Sequence, residues 1–575
     1  MKNQELSNIF NEIAFFLEME GIPFKPLAYE KTAIMLENLE EDIESIYAKR
    51  GVKGFEEMPG IGTSIAQKIE EYIQTGKIDT YLRLKKKIPV NIDELSAVEG
   101  MGPKKIKILY KELGIRNVKD LEIAAKNHKI AVLFGFGKKT EENILQGIKF
   151  LKRSKGRFLL SNALPIAYSI CQTLKNMKAV KDIEVAGSLR RGKETIGDID
   201  ILAISGNPQK TMDIFTSLPG IVKIWGKGAT KSSVRFNSGI DADLRIVPER
   251  SFGAALQYFT GSVEHNVALR KIAIEKGMKL NEYGLFKGPK MIAGKNEKEI
   301  YQALGLKLIN PELRENKGEI EASLKGKLPK LIALDDIKGD LHCHSAWNGG
   351  ENSIHDLAQA AMKRGYSYLG IADHTVSLHI ENGLQEKDII LQGREIDRLN
   401  KNLSRRKFKL LKGAEVNILK DGTLDVSDKT LSKLDYVIAG VHSFFKLSRT
   451  ENTRRIIKAM ENPYVTIISH PSGRILKKRD EYEIDFEEIL KAAYRTKTIL
   501  EINACPDRLD LRDVNILRAK QAGVKMIINS DAHTISQLDN MPFGISQARR
   551  GWAQRSDILN SLNFKDLLIK LKLKH

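Results

Sequence analysis

The chain has 575 residues, of which 42% are apolar and 29% charged, with a formal net charge of +20 and a pI near 9.4. That length exceeds one hydrophobic core and predicts three to five domains of ordinary globular composition. No apolar run is long enough for a spanning helix. Three scattered cysteines, Cys171, Cys343 and Cys505, exclude a disulfide framework. The opening MKNQELSNIF has no signal-peptide pattern, so a reducing cytoplasm is expected. The basic charge suits a polyanion, but general solubility explains it about as well, so position must decide.

Residues 1–85 read as amphipathic helices broken at Gly21-Ile22-Pro23 and at Pro59-Gly60-Ile61-Gly62. Residues 86–150 repeat the style around Gly100-Met101-Gly102-Pro103, followed by Lys104 and Lys105. Glycine turns of this kind leave backbone N–H groups open at a helix start, which holds a phosphate without reading a base. Nearby lysines add a salt-sensitive attraction. A tight helix–helix turn would explain one copy, but two copies in a basic chain weigh against that. The copies resemble helix-hairpin-helix DNA-binding motifs, which implies DNA contacts at Gly60, Gly62, Lys68, Gly100, Gly102, Lys104 and Lys105. Phe134-Gly135-Phe136-Gly137 is a looser third copy, left undecided.

Residues 151–250 mix helix with short β-rich runs. Asp198 and Asp200 are two apart on a predicted strand and share a face. Paired carboxylates repel, and hard oxygen ligands suit Mg²⁺. Gly187-Ser188 and Arg191 upstream are groups that hold a triphosphate. Asp241 and Asp243 both offer a third carboxylate, and spacing does not choose between them. Residues 251–317 read as mostly helical, and 318–337 as a linker.

The segment Gly187 to Asp200 resembles the catalytic signature of family X DNA polymerases of the polymerase beta type. The match continues through Asp243-Leu244-Arg245, Tyr258-Phe259-Thr260-Gly261-Ser262 with Asn266, and Asn281 to Phe286. The resemblance implies two Mg²⁺ ions on Asp198, Asp200 and Asp243. It places Ser188, Arg191 and Gly197 at the triphosphate, and Tyr258, Phe259 and Asn266 at the nucleotide's sugar and base, with a bend at Gly261-Ser262. Asp241 departs from it, since polymerase beta has an arginine there. Lys68 falls where such polymerases carry a lyase lysine that forms a Schiff base with 5′-deoxyribose phosphate. Lys25 and Lys31 are candidate neighbours to lower its pKa, and Ser64 replaces a second lysine.

From Lys338 the texture changes to a βα series, and nine of eleven histidines lie beyond that point. His342, His344, His374, Glu415, His442, His470, Asp531 and His533 each sit at or just beyond a hydrophobic run, the end where β/α barrels build sites. Such a set suits Zn²⁺ or Mn²⁺. One such histidine would more often be a core residue, but six are hard to explain that way. Residues 338–575 resemble the PHP (polymerase and histidinol phosphatase) domain, a distorted seven-stranded β/α barrel. That implies two to three metal ions on those eight residues and a 3′–5′ exonuclease, with cleavage at abasic sites as a further activity. Gly349 departs from the family, which has a metal-binding Asp there. The ion shared with His374 and His533 should therefore bind weakly, or use water or Glu351.

The expected fold is thus multidomain α/β: helix-hairpin-helix domain (1–85), fingers (86–150), nucleotidyltransferase palm with a mixed sheet (151–250), helical thumb (251–317), linker (318–337) and PHP domain (338–575). The expected function is a DNA-directed polymerase that fills short gaps in base excision repair, taking gapped or primed DNA and deoxynucleoside triphosphates, as a cytoplasmic monomer without membrane contact. The alternatives are a template-independent nucleotidyltransferase, a DNA-tethered PHP phosphatase, and a binding module with a decayed nuclease.

Overall fold

The structure is a computed structural model that describes every residue except 1, 40, 59–60, 97, 99–100, 155, 378–382, 404–405 and 573–575. The chain forms two compact units, 1–155 with 477–479, and 156–476 with 480–575.

The first unit is helical. In the helix Lys2–Glu20, Leu6, Phe10, Ile13 and Leu17 recur at three- and four-residue steps and are buried. They share a core with Ile65, Ala66 and Ile69 of the helix Thr63–Thr75 and Ile106 and Leu109 of the helix Pro103–Leu113.

The second unit begins with a two-residue ribbon, β1 (Phe158–Leu159) against β3 (Thr195–Ile196). Its main sheet holds β2 (Asp182–Val185), β4 (Asp198–Ile204), β5 (Ile221–Lys227), β6 (Lys231–Phe236) and β7 (Asp241–Ile246), in the order β2-β4-β7-β6-β5. Only the β4–β7 pair is parallel, so the sheet is mixed, as expected. Ile199, Ile201 and Ala203 of β4 bury one face against Ala163, Ala167 and Ile170 of the helix Leu160–Asn176. The alternate positions Asp198 and Asp200 face outward at the start of that strand.

Residues 251–317 carry the expected helices but also a three-stranded antiparallel sheet, β8 (Lys279–Asn281), β9 (Gly284–Lys287) and β10 (Lys290–Ala293). Asn281 Oδ1 accepts from the N–H groups of Tyr283 and Gly284, at 3.0 and 3.1 Å, and so turns β8 into β9. The stretch 318–337, expected as a linker, is folded. Residues Glu319–Leu324 form a helix, Glu319 and Ile332 are fully buried, and Ile332 N–H donates to Ala553 O. Its Lys, Gly and Pro content suggested a solvated tether. The apolar side chains between those residues dock instead.

The C-terminal part has two parallel sheets. One is β11 (Gly339–Asp340), β12 (Tyr368–Ile371) and β13 (Lys409–Lys412). The other is β14 (Glu415–Asn417), β15 (Ile438–Gly440), β16 (Ile467–Ile468), β17 (Ile499–Asn503) and β18 (Met526–Asn529). Single parallel bridges join the two sheets at both seams, His374 to Glu415 and Cys343 to Ala532. With β13 and β14 taken as one broken strand, seven strands follow one another round the ring. All residues of β12, β15, β17 and β18 are buried, as in a sheet covered on both faces.

Candidate active sites

The palm site forms where β4 and β7 begin side by side. Their register sets Asp198 opposite Asp241 and Asp200 opposite Asp243. Spacing left Asp241 and Asp243 equivalent, but their surroundings differ. Asp241 accepts a two-pronged pair from Arg235, 2.8 Å at each contact, and a bond from Trp225 Nε1 at 2.9 Å. Asp243 pairs with Lys231 Nζ at 2.8 Å. Burial, then the charges of Asp198 and Asp243, pushes the Asp200 carboxyl up to about 6. Burial and Asp243 also raise Asp198. This carboxylate strain is of the kind divalent cations relieve, so the donor set fits hard metal ions.

The residues before β4 shape the same place. Gly187 has φ +60°, and a Cβ there would overlap Asp200 Oδ2, so only glycine lets this turn lie on the carboxylate. Ser188 sits in the short helix Gly187–Arg190. Arg190 is committed to Glu297 through two bonds of 2.8 and 2.9 Å and to Thr260 Oγ1 at 2.8 Å. Arg191 donates Nε to Glu315 at 2.9 Å and Nη1 to Thr260 O, and among the described residues its Nη2 makes no hydrogen bond. Gly261, with φ +70°, packs against Arg191 Nη1. Asn266 Nδ2 donates to Tyr258 O at 2.7 Å, and the Tyr258 and Phe259 rings meet edge to face at 5.2 Å. Gly197 precedes β4 beside Arg157, which sequence reasoning missed; Arg157 Nε donates to Thr195 Oγ1 at 2.9 Å.

The second site lies at the strand ends of the C-terminal ring. Three groups there have ligand atoms within 4.8 Å of one another: His342, His344 and Glu415; His374, Glu415 and His442; and His344, His374 and His533. Glu415 is central, 3.2 Å from His342 Nε2, 3.0 Å from His374 Nδ1 and 3.1 Å from His470 Nε2. Burial would raise its carboxyl, but His342, His442 and His374 hold it well below the usual range. Burial, then His533 and His374, holds the His344 imidazole well below its ordinary value, and burial followed by Arg508 lowers His470 to about 4. Burial favours the neutral, ligating imidazole at these two, whereas nearby carboxylates outweigh burial and raise His342 and His374. His344 Nδ1 and His470 Nδ1 are buried without a hydrogen-bond partner, and His342 Nε2, His374 Nδ1 and Glu415 Oε2 are buried and face one another without a hydrogen bond of good geometry. Orphaned donor atoms gathered like this fit metal ions. Asp531 lies 3.1 Å from His344 Nε2, and the His533 ring stacks on His344 at 4.1 Å.

Sequence reasoning missed the groups that orient these ligands. Glu501 Oε1 lies 2.7 Å from His342 Nδ1, and Glu501 Oε2 accepts His470 N–H at 2.8 Å. Asp373 takes Ser345 N–H and Oγ, both at 2.6 Å, and Asn503 donates to Asp531 at 3.0 Å. Arg508 Nε reaches 3.6 Å from Asp531. A charged residue inside an apolar run, as in ILEIN, was the available signal. Gly349 is exposed with φ +72°, and Glu351, two residues on, donates its N–H to His533 O at 2.8 Å.

In the first unit, Gly62 and Gly102 precede the helices Thr63–Thr75 and Pro103–Leu113 with φ of −85° and −88°. A Cβ at either would meet nothing, so nothing within the unit requires glycine there. Gly60 and Gly100 lie outside the described residues. Lys104 is exposed and Lys105 half-buried. Lys68 Nζ donates to Ser64 O and Oγ, each at 3.1 Å. Burial lowers its amine, with Lys25 and Arg83 adding to the effect, whereas Lys31 is not among the causes.

Family models match four stretches: a helix-hairpin-helix domain at 1–78, a SAM-like helix-hairpin-helix tandem at 92–149, the DNA polymerase beta thumb at 255–315 and the PHP domain at 340–505. Together with the palm, they define a polymerase beta-like core joined to a PHP domain. The chain is 38% identical over 577 residues to the DNA polymerase/3′-5′ exonuclease PolX of Bacillus subtilis strain 168, with both chains covered in full. It therefore belongs to that family, the family X DNA polymerases with a C-terminal PHP domain. Two further relatives cover about a third of the chain. Probable phosphatases of Caldicellulosiruptor bescii and Thermoanaerobacter sp. strain X514 are 30% and 34% identical over 34% of this chain and 80% and 78% of theirs. No helix among the described residues is long and apolar enough to cross a membrane.

Proposed function

We propose that the chain is a DNA-directed DNA polymerase that fills short gaps in DNA during base excision repair, with a 3′–5′ exonuclease in its PHP domain. The observation that carries the polymerase reading is the register of β4 and β7, which gathers Asp198, Asp200 and Asp243 beside a turn that only Gly187 permits. Divalent cations, Mg²⁺ in the palm and Mn²⁺ or Zn²⁺ in the PHP domain, would supply Lewis acidity at the two sites. Asp198, Asp200 and Asp243 hold the palm ions. Arg191 Nη2, Ser188 and the Gly197 turn hold the triphosphate. Tyr258, Phe259, Gly261 and Asn266 form the wall that meets the nucleotide's sugar and base.

In the PHP domain His342, His344, His374, Glu415, His442, His470, Asp531 and His533 would hold the ions, and Arg508, 3.6 Å from Asp531, would take a backbone phosphate. The open N-termini at Gly62 and Gly102, with Lys68, Lys104 and Lys105, grip the DNA backbone. One chain carries both grips and both sites, which supports the reading that it works as a monomer, and its likeness to a bacterial polymerase supports the reading that it acts on DNA in the cytoplasm. The lowered Lys68 amine favours one further reading, a 5′-deoxyribose phosphate lyase.

The test is single-nucleotide insertion into a 5′-phosphorylated one-nucleotide gap with Mg²⁺, each deoxynucleotide offered alone, beside Arg191→Ala. Only the complementary nucleotide should be inserted, with KM raised at least ten-fold in the variant, the scale of a lost charge-assisted contact. Insertion indifferent to the template would point instead to a template-independent nucleotidyltransferase.

A further inference from the structure

The palm and the PHP domain belong to one compact unit. The helix Met541–Arg550, which follows the PHP ligand His533, lies against the palm segment that carries Arg191. Arg550 Nη1 donates to the Arg191 carbonyl at 2.9 Å and to Glu315 Oε1 at 3.0 Å. The same Glu315 oxygen accepts Arg191 Nε at 2.9 Å. Arg550 Nη2 donates to Asp513 at 2.7 Å, which anchors the guanidinium on the PHP side. One PHP arginine thus holds the main chain of Arg191 directly and its side chain through a single carboxylate.

The cluster is closed to water: the side chains of Arg550, Arg191 and Glu315 are 5%, 12% and 12% exposed. Ion pairs so placed are weakly screened and hold their geometry. The grip extends along the palm segment. Gly192 has φ +62° and leaves no room for a Cβ against Ser546 Oγ, and Arg474 Nη2 donates to Glu194 at 2.8 Å. Electrostatics gives Arg550 a second effect. Glu315 beside a triphosphate would repel it. Arg550 at 3.0 Å, with Lys193 at 3.6 Å, offsets that charge, so that Arg191 Nη2 keeps its positive field.

We propose that Arg550 of the PHP domain is a positioning residue for nucleotide binding in the polymerase site, acting on Arg191 through Glu315. The proposal rests on the reading of Arg191 as a triphosphate ligand. It makes the nuclease domain a structural part of the polymerase site.

The test uses the full chain and gap-filling kinetics with the complementary deoxynucleoside triphosphate in Mg²⁺. Arg550→Met should raise KM about ten-fold, one lost charge-assisted contact, with kcat within about two-fold. Exonuclease activity in Mn²⁺ on the same preparation should be unchanged, which shows that the PHP domain is folded. Arg550→Lys keeps the charge and should restore about half of the effect on a logarithmic scale. If Arg550→Met has lost its exonuclease, Arg550→Lys becomes the deciding variant and should raise KM about three-fold.

Arg549→Met removes the neighbouring pair from the same helix, Arg549 to Glu312 at 2.7 Å, which does not touch Arg191. Its KM should equal that of wild type. An unchanged KM in the deciding variant, or an equal rise in Arg549→Met, overturns the proposal. If Arg191→Ala raises KM and the Arg550 variants do not, this inference alone fails. If Arg191→Ala leaves KM unchanged, the triphosphate reading fails and this inference with it.

Discussion

Gly349 stands where the resemblance to the PHP domain leads one to expect a metal-binding Asp. Two of the three donor groups in the PHP site include the Glu415 carboxylate, while the third, His344, His374 and His533, is imidazole alone. Neutral ligands give a divalent cation no charge compensation, so this position should bind its ion most weakly. The backbone at Gly349 has φ +72°, a left-handed conformation that Asp tolerates better than most residues. Gly349→Asp is therefore expected to fold normally and to lower the Mn²⁺ concentration that half-saturates the exonuclease by about ten-fold, the scale of one charged contact. A Mn²⁺ titration of nuclease rate on single-stranded DNA, with Gly349→Asn as the uncharged control, measures this. An unchanged half-saturation in Gly349→Asp would show that the trio is already supplied with charge, as from Asp531, 3.1 Å from His344 Nε2.

Among elements, the helix Glu297–Ala303 ties the thumb to the palm. Glu297, at its first position, accepts Arg190 from the palm at 2.8 and 2.9 Å and Arg314 Nη1 at 2.5 Å. Burial alone would raise its carboxyl, but Arg314 and Arg190 outweigh that and hold it at about 2. The folded value lies below the unfolded carboxylate value of about 4.3. The stabilisation is therefore complete above that value and is lost as pH falls through about 2. Glu297→Gln leaves Arg314 buried and unpaired, which should cost about 3–5 kcal/mol at pH 7. The variant should also lack the part of the acid destabilisation that Glu297 contributes between about pH 4 and pH 2. Urea unfolding at pH 7 and pH 3 reads both effects, and a variant as stable as wild type at pH 7 would contradict the assignment.

Elements also differ in how far they could be read beforehand. The βα series was legible because buried parallel strands are near-continuous apolar runs, and each run ended just before a ligand such as His374 or His470. The hairpin at Asn281–Gly284 was missed, although its Asx turn was present in the residues, because helices on both sides dominated the pattern. The stretch 318–337 misled for a different reason: burial of Glu319 depends on His265, 2.6 Å away and 54 residues earlier, which no local window contains. At the sites, ligands that break an apolar run stood out, whereas Glu501 and Arg550 act through partners brought near only by folding.

At the scale of the molecule, one chain carries two metal-fitting sites with different chemistry. The palm site is carboxylate-only and partly exposed, as suits Mg²⁺ and a large substrate. The PHP site is imidazole-rich and buried, as suits Mn²⁺ or Zn²⁺. The family assignment carries polymerisation and 3′–5′ exonuclease activity, and the proposed reading gives the first to the palm site and the second to the PHP site. The measurement that tests this most directly follows a labelled primer on gapped DNA with wild type, Asp198→Ala and His344→Ala, in Mg²⁺ with nucleotides and in Mn²⁺ without. Asp198→Ala should lose extension by at least 100-fold and keep shortening the primer, while His344→Ala should do the reverse. Loss of both activities in either variant, or primer shortening that survives His344→Ala, would contradict two separate active sites.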